Sequence, residues 1–286
     1  MNLTARIRES AMSNGMNLVG VSPVERLSKA PVGRKPRDLL PSARSVVSLS
    51  VKIPEGALAA NRRAYSGVRH AIYVYMLYGY TLLNEKLNTA ALQVTRLLEG
   101  EGHAAMPIPA SGPMDYEALM GAVSHRHAAV AAGLGEFGWN GLLMTPEWGP
   151  HVRLVTVLTD APLEYSPMYG GDRICDPERC KHLCSELCPV GAFGDTSDRV
   201  EIGDRTFEYA KMDHYKCYCG VEGLTAKTLA LQPQELPAVM GSKEALNALS
   251  KGDPWQRKEM ASGGSYCGRC LVHCPAGFSG NRAVQG

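Results

Sequence analysis

The residues in this chain most able to do chemistry are its nine cysteines, and all of them follow residue 174. Cys175, Cys180, Cys184 and Cys188 form one run, with Pro189 directly after the last. Cys267, Cys270 and Cys274 form a second, with Pro275 after the last, and Cys217 and Cys219 lie between the two. Closely spaced cysteines with a further cysteine three residues on and then proline are the pattern of [4Fe–4S] ligation. In proteins with two such runs, the cysteine before proline ligates the cluster of the opposite run. Structural zinc is the competing reading, but a zinc site needs no such fourth cysteine, and that feature occurs here twice. The spacing therefore predicts two [4Fe–4S] clusters, one on Cys175, Cys180, Cys184 and Cys274, the other on Cys188, Cys267, Cys270 and Cys217. Cys217 and Cys219 are interchangeable in this assignment, and the one left over is a small buried hydrophobe. The first run, C-x4-C-x3-C-x3-C-P, is looser than the common C-x2-C-x2-C-x3-C-P, which leaves cluster type and one ligand open.

Two clusters make a one-electron relay, and a relay needs an end point, either a second redox centre or another protein. Reductive cleavage at such a centre consumes two electrons and a proton, so a positioned acid is expected beside it. The rest of the composition is permissive. A formal net charge of +2 gives no electrostatic case for nucleic acid or an anionic membrane as partner. Nothing approaches the roughly 18 consecutive apolar residues of a membrane span. The N-terminal MNLTARIRES has no apolar signal core, and Arg62 and Arg63 lie too deep for an export signal. With an odd cysteine count, these features point to the reducing cytoplasm.

The elements that must position the cysteines read as a mixed α+β chain. Leu3, Ile7 and Met12 mark a helix over 3–14, stopped at Gly15. Segments 17–21 and 45–51 read as strands separated by a basic, proline-containing loop at 31–42. A long helix is expected over 68–99, where Tyr73, Tyr75, Tyr78 and Tyr80 serve core and rim packing. A second is expected over 117–132, and RLVTVLT at 153–159 is the strongest strand. The cysteine-bearing part begins near 165, giving domains 1–164 and 165–286. An insertion at 220–266, carrying a helix at 243–250, is a surface excursion, a lid or a docking surface.

Gly133, Gly135 and Gly138 match G-x-G-x-x-G, the dinucleotide fingerprint, which requires a strand before and a helix after. Here the preceding HRHAAVAAGLG is helical in character, and the following WNGLLMTPEWGP is rich in turn residues. The fingerprint fails on context. The glycines instead permit a backbone path close to a flat ligand. His125 and His127, two apart, fall on different faces of a helix, so they are separate histidines rather than a metal pair, and each is a candidate proton source.

AGLGEFGWNGLLMTPEWGPHVRLVTVLTDAPLE, residues 132–164, followed by cluster-type cysteines, resembles the corrinoid-dependent iron–sulfur reductases. That superfamily includes reductive dehalogenases and epoxyqueuosine reductases, and the ordered AGLGE, G-x-N-G-L-L, T-P, G-P-x-x-R and T-D-x-P-L lie closest to the dehalogenases. LLPSARSVVSLSV near 39–51 resembles the family's N-terminal strand, so the likeness covers about 40–286. It implies a corrinoid-binding, nitroreductase-like N-terminal domain followed by a ferredoxin-like domain with the two clusters. It also implies a base-off cobalamin on the glycine-rich loop, with Gly133, Gly135, Glu136, Gly138, Asn140, Gly141, Leu142 and Thr145 as contact positions. Asn140 matches an asparagine at the dehalogenase active-site pocket. Trp139 departs from the pattern, since relatives carry Arg or Lys there. The family's acid is a tyrosine helped by Lys or Arg in dehalogenases and an aspartate in epoxyqueuosine reductases. The aspartate spacing falls on Leu119, which cannot donate a proton, so Tyr116 in SGPMDYEALM, next to Asp115, is the candidate acid.

The resemblance implies a cytoplasmic reductive-dehalogenase-like enzyme. It would take electrons from a donor such as ferredoxin or flavodoxin and act on a small molecule. Two rivals stand beside it. Epoxyqueuosine reductases continue into a helical tRNA-binding extension, whereas this sequence stops twelve residues after Cys274, which with the neutral charge balance ranks that activity lower. A non-catalytic electron carrier or corrinoid-reducing partner is the other, supported by the absence of a cleanly placed acid and by Trp139.

Overall fold

The computed structural model of the chain describes residues 2–111, 115, 119–221 and 267–278. The chain begins with α1 (Leu3–Ser13), β1 (Leu18–Pro23), the single turn α2 (Pro36–Leu39), β2 (Ser45–Lys52) and α3 (Glu55–Tyr65). It continues through the short α4 (Ile72–Val74), a π-helical stretch at Tyr75–Thr81, α5 (Leu82–Gly100), β3 (Ala105–Ile108) and α6 (His125–Ala131). A two-residue hairpin, β4 (Glu136–Phe137) with β5 (Leu143–Met144), precedes β6 (Val152–Thr159). After it come α7 (Leu183–Glu186), the hairpin β7 (Phe193–Ile202) and β8 (Arg205–Met212), α8 (His214–Val221) and α9 (Arg269–Val272).

The organising element is an antiparallel sheet in the order β1-β2-β6-β3. Alternation along β2 explains its two faces, since successive side chains point to opposite sides. Val47, Leu49 and Val51 join Val155 and Val157 of β6 under α1, α3 and α5. Each such side chain contributes about 1.5–3 kcal/mol when fully buried. On the opposite face, Gly20, Ser48 and Thr156 pair directly across β1, β2 and β6 and form a row of small side chains. The alanine-rich α6 lies against this face, with Ala128, Ala129, Val130 and Ala131 all buried. Small residues on both partners let the helix approach the sheet closely. The strands expected at 17–21, 45–51 and 153–159 are β1, β2 and β6.

Several expectations need correction. The helix expected over 117–132 is confined to His125–Ala131, because Leu119 has a left-handed backbone (φ 50°) and Asp115 bridges Met120 in a tight antiparallel pair. The helix expected over 68–99 is interrupted by the π-helical stretch, which turns Tyr75 fully inward while Tyr73 and Tyr78 stay exposed. In α1 the buried stripe runs through Thr4, Ile7 and Ala11, and Met12 faces solvent. The β7–β8 hairpin was not anticipated, although Val200 and Ile202, the Gly203–Asp204 turn and Phe207 carry its signature. The expected helix at 243–250 and most of the 220–266 insertion lie outside the described residues, as does Tyr116. Among the described residues no helix is long and apolar enough to cross a membrane.

The proposed boundary near 165 is tightly tied to what precedes it. Ser166 donates its amide to the Val21 carbonyl (2.8 Å), and its hydroxyl accepts from the Val21 amide (3.1 Å). At the far end of the chain, Val272 of α9 is fully buried in the core under α3 and α5. The last cysteine run is therefore anchored in the first half of the chain.

Candidate redox site

Eight thiols are described, and they act on one another in two sets. Burial pushes the Cys274 thiol up to about 12, with Cys175, Cys184 and Cys180 adding to the rise. Burial likewise raises Cys184 to about 11, followed by Cys175 and Cys180. In the other set, burial raises Cys217 to about 11, with Cys267 and Cys188 next. Cys270 is raised well above 9.0, first by burial and then by Cys217 and Cys267. Cys184 follows, ahead of Cys188, so the two sets adjoin at Cys270. Each set draws on both runs, with Cys188 and Cys274 each facing the other run's cysteines. Cys219 lies two residues beyond Cys217 on α8, and its side chain is outside the described residues.

Among the described residues no three His, Cys, Asp or Glu groups converge closely enough to hold a single metal ion. Zinc would need its thiolates at about 2.3 Å from one ion. Thiolates of an iron–sulfur cube each bind a different iron and stand farther apart. Backbone amides already point at two sulfurs: Trp139 donates to Cys175 Sγ and Ala192 to Cys188 Sγ, each at 3.2 Å. Such donors favour the charged, cluster-bound form of a thiolate and tune cluster potential.

The glycine-rich loop between α6 and β6 brackets both cysteine runs. Glu136 Oε1 accepts from the Ile174 amide at 2.7 Å and the Cys175 amide at 3.2 Å, fixing the start of the first run. Asn140 Nδ2 donates to the Cys270 carbonyl at 3.0 Å, and its Oδ1 accepts from the Leu142 amide at 3.1 Å. Thr145 closes a turn with Gly149, accepting from the Gly149 amide and donating through its own amide, both at 2.9 Å. That turn seats the Pro275–Phe278 turn that follows Cys274. Gly133 (φ 78°) lies so near Pro167 that a Cβ would stand 2.0 Å from its carbonyl oxygen. A Cβ on Gly135 would meet the Met144 carbonyl oxygen at 1.9 Å, and one on Gly138 would meet the Met144 side chain. Gly141 (φ 69°) faces Arg126 and Tyr209. The close approaches that these glycines allow are to the protein itself. Trp139 sets its ring edge-on to His182, 5.0 Å between centroids, over the first run.

Beside the second thiol set lies a cavity of about 190 Å³. Leu142, Leu143, Val152, Leu154 and Leu271 supply apolar wall, and His125, Arg126 and Arg153 supply its polar groups. His125 Nε2 lies 2.7 Å from the Pro109 carbonyl, which can only accept, so Nε2 carries the proton and Nδ1 accepts from Thr156 Oγ1 at 2.8 Å. Burial lowers the His125 pKa, which keeps this ring neutral. Arg126 Nη1 donates to the Gly141 carbonyl at 2.5 Å. Burial lowers the Arg126 pKa, partly offset by Tyr209 and by the thiols Cys217 and Cys270, so this cation stands between the cavity and the second set.

No protein-family model matches the chain. It is 30% identical over 149 residues to a tetrachloroethene reductive dehalogenase from Sulfurospirillum multivorans, covering 51% of this chain and 22% of that protein. It is 42% identical over 87 residues to one from Dehalobacter restrictus, covering 29% of this chain and 15% of the relative. An epoxyqueuosine reductase from Streptococcus thermophilus superposes with a TM-score of 0.53 at 17% identity, over 100% of this chain and 69% of that one. A catabolic reductive dehalogenase superposes at 0.50 and 16% identity, over 84% and 36%. These partial matches in sequence and in fold support the corrinoid iron–sulfur reductase superfamily, with reductive dehalogenases as the relatives in sequence. It spans about a fifth of the first curated relative.

The described residues place no acid at the candidate position. Tyr116 lies outside them, Leu119 is apolar, and Asp115 is paired with Arg34 at 2.6 Å. Of the eight loop positions carried over, Leu142 alone lines the cavity. Sequence reasoning missed Arg126 and Arg153, because isolated arginines on a helix and a strand have no local signal. Tyr65 was also missed. Its hydroxyl donates to the Cys267 carbonyl at 3.0 Å, beside the Asn61 amide at 3.2 Å.

Proposed function

We propose that the chain is a reductase of this superfamily in which two [4Fe–4S] clusters pass electrons toward the cavity bordered by Leu142 and Leu271. The observation that carries this is the grouping of eight thiols into two sets that share both cysteine runs, with the second set against the cavity. Cys175, Cys180, Cys184 and Cys274 would hold one cluster, and Cys188, Cys217, Cys267 and Cys270 the other. The donor set fits this well: thiols and backbone amides only, too widely spaced for one ion. Kinship extends the proposal to a cobalamin, which when bound supplies a cobalt centre reducible to a low-potential state. A ferredoxin or flavodoxin would be the external donor, and a small molecule the substrate.

The described residues do not by themselves fit a corrin. The cavity of about 190 Å³ is below the ~300–1,000 Å³ of pockets that bury drug-sized ligands, and a corrin is larger still. Gly133, Gly135, Gly138, Asn140 and Thr145 are engaged with protein atoms. This favours a second reading, an iron–sulfur electron carrier that reduces another protein's cobalt. The fold also matches an epoxyqueuosine reductase, but no specific contact here favours a tRNA substrate.

Anaerobic reconstitution tests the proposal. Both readings expect the chain to take up about eight irons; the cobalamin reading alone also expects about one bound cobalamin, with an absorption band of the reduced cofactor on adding reductant. Cluster-loaded protein that leaves added cobalamin in the filtrate would exclude the first reading and leave the carrier. Fewer than about eight irons with all ligands intact would sink both.

A further inference from the structure

We propose that Tyr65 is a positioning residue for the second cluster: its hydroxyl turns to the Cys267 sulfur when the cluster is bound and raises that cluster's reduction potential, while Arg269 holds its ring. This rests on the reading above only in that Cys188, Cys217, Cys267 and Cys270 hold a cluster; it serves the reductase and the carrier alike. Tyr65 is the last residue of α3, 202 positions before Cys267, and nothing in the cysteine spacing calls for it. The fold brings it there. Turn α9 packs on α3, and Arg62 of α3 donates to the Val272 carbonyl at 3.0 Å.

The count of donors decides what the hydroxyl is free to do. The Cys267 carbonyl accepts from Tyr65 at 3.0 Å and from the Nδ2 of the fully buried Asn61 at 3.2 Å. The carbonyl therefore keeps a donor if the hydroxyl leaves it. That hydroxyl also reaches the Cys267 thiol: burial raises this thiol, and the Arg269 amide and the Tyr65 hydroxyl bring it back down. A phenol has one proton to give, and a thiolate carries charge that a carbonyl lacks, so it is the stronger acceptor. Burial, followed by Cys267 itself, pushes the Tyr65 hydroxyl up, so it stays a donor. Arg269 completes the arrangement. Its guanidinium carbon lies 4.2 Å over the Tyr65 ring, a cation–π contact that fixes the ring, and its charge favours the ionised Cys267. One electron from the external donor adds a negative charge to the cluster and its thiolates. A hydroxyl and a cation at Cys267 stabilise that reduced state more than the oxidised one. An electron on the first cluster is thereby drawn to the second, the one beside the cavity.

The test is an EPR-monitored redox titration of the full chain, cluster-loaded under anaerobic conditions, with iron counted in each sample. Tyr65→Phe keeps the ring under Arg269 and removes only the hydroxyl. The second cluster, identified as the signal that Cys188→Ala removes, should become about tenfold harder to reduce. For a one-electron couple that is a downward shift of about 59 mV. The first cluster is the internal control and should not move. A merely structural loss goes the other way, since a loosened turn admits water, which stabilises the more negative state and raises the potential. If Tyr65→Phe does not load, Arg269→Gln serves in its place, with a downward shift of the same cluster expected. An unchanged potential, an upward shift or an equal shift of both clusters overturns the proposal. Loss of iron from both variants also overturns it, by assigning the two residues to assembly. Fewer than about eight irons in the unaltered chain sinks the cluster reading itself, which keeps the two failures apart.

Discussion

Replacing Gly133 by alanine separates two explanations of the glycine loop, ligand contact and self-contact. Gly33 is the control. Its φ of 79° matches the 78° of Gly133, but a Cβ at Gly33 would meet nothing within 4 Å. Gly33→Ala should therefore cost only the left-handed backbone penalty, about 1–2 kcal/mol. At Gly133 the new Cβ would stand 2.0 Å from the Pro167 carbonyl oxygen and 3.1 Å from its carbon, so the Pro167 backbone must move. The adjoining Ser166 is held by the Val21 amide and carbonyl and by Arg26 Nη1, which donates to the Ser166 carbonyl at 2.8 Å. Losing two of these bonds adds about 2 kcal/mol at roughly 1 kcal/mol each. Gly133→Ala should then cost about 3–4 kcal/mol, some 2 kcal/mol beyond Gly33→Ala. Urea unfolding of anaerobic, cluster-loaded variants reads this difference, with cobalamin added to a parallel series. Equal losses in the two variants, or full rescue of Gly133→Ala by cobalamin, would refute self-contact as the reason for this glycine.

The remaining expectations concern the thiols and the buried histidines. Cys188→Ala should halve the iron content and remove the EPR signal of the cluster on Cys217, Cys267 and Cys270, sparing the one on Cys175, Cys180, Cys184 and Cys274. Cys217→Ala should damage the same cluster while Cys219→Ala keeps it; the opposite pattern reverses that pair. Burial depresses His127 and His151 to about 4 from an ordinary 6.5, so the unfolded chain takes up protons that the fold refuses. Stability is thus complete above about 6.5 and falls as pH drops toward 4, with a slope approaching ~1.4 kcal/mol per pH unit per histidine. Urea midpoints between pH 7 and 5 should show this, and a flat profile would contradict it.

Much of the framework was legible because it rests on local pattern. Alternation in SVVSLSV and the apolar run in RLVTVLT mark β2 and β6, and the Cys-Pro endings are what the proposed exchange of ligands between the runs starts from. The rest depends on contacts that no window contains. The helix ending at Ala131 begins only at His125, because Leu119 and the Asp115–Met120 bridge turn the chain where alanine content alone suggests continuity. Arg126 and Arg153 are 27 positions apart and meet only through the cavity they line. The G-x-G-x-x-G spacing is the instructive case. The sequence excludes a dinucleotide by context, yet nothing local shows that Gly133 and Gly135 yield to Pro167 and Met144.

The single turn α9 explains how these parts act together. Cys270 belongs to the second thiol set and is the residue that feels Cys184 of the first. Leu271, next in the chain, lines the cavity, while Val272 is fully buried in the sheet's helical core. Three polar contacts hold this turn from residues that precede the cysteine runs: Asn140 on the Cys270 carbonyl, His151 Nε2 on that of Leu271 at 3.1 Å, and Arg62 on that of Val272 at 3.0 Å. One turn of helix, locked to loop, strand end and α3, therefore joins the first thiol set, the second and the cavity in that order. A relay needs its centres close and their spacing rigid, and its last member must face the space where chemistry occurs. Asn140, carried over from relatives as a pocket residue, serves the proposed relay by a different route: it fixes the carbonyl of the cysteine that adjoins the cavity wall.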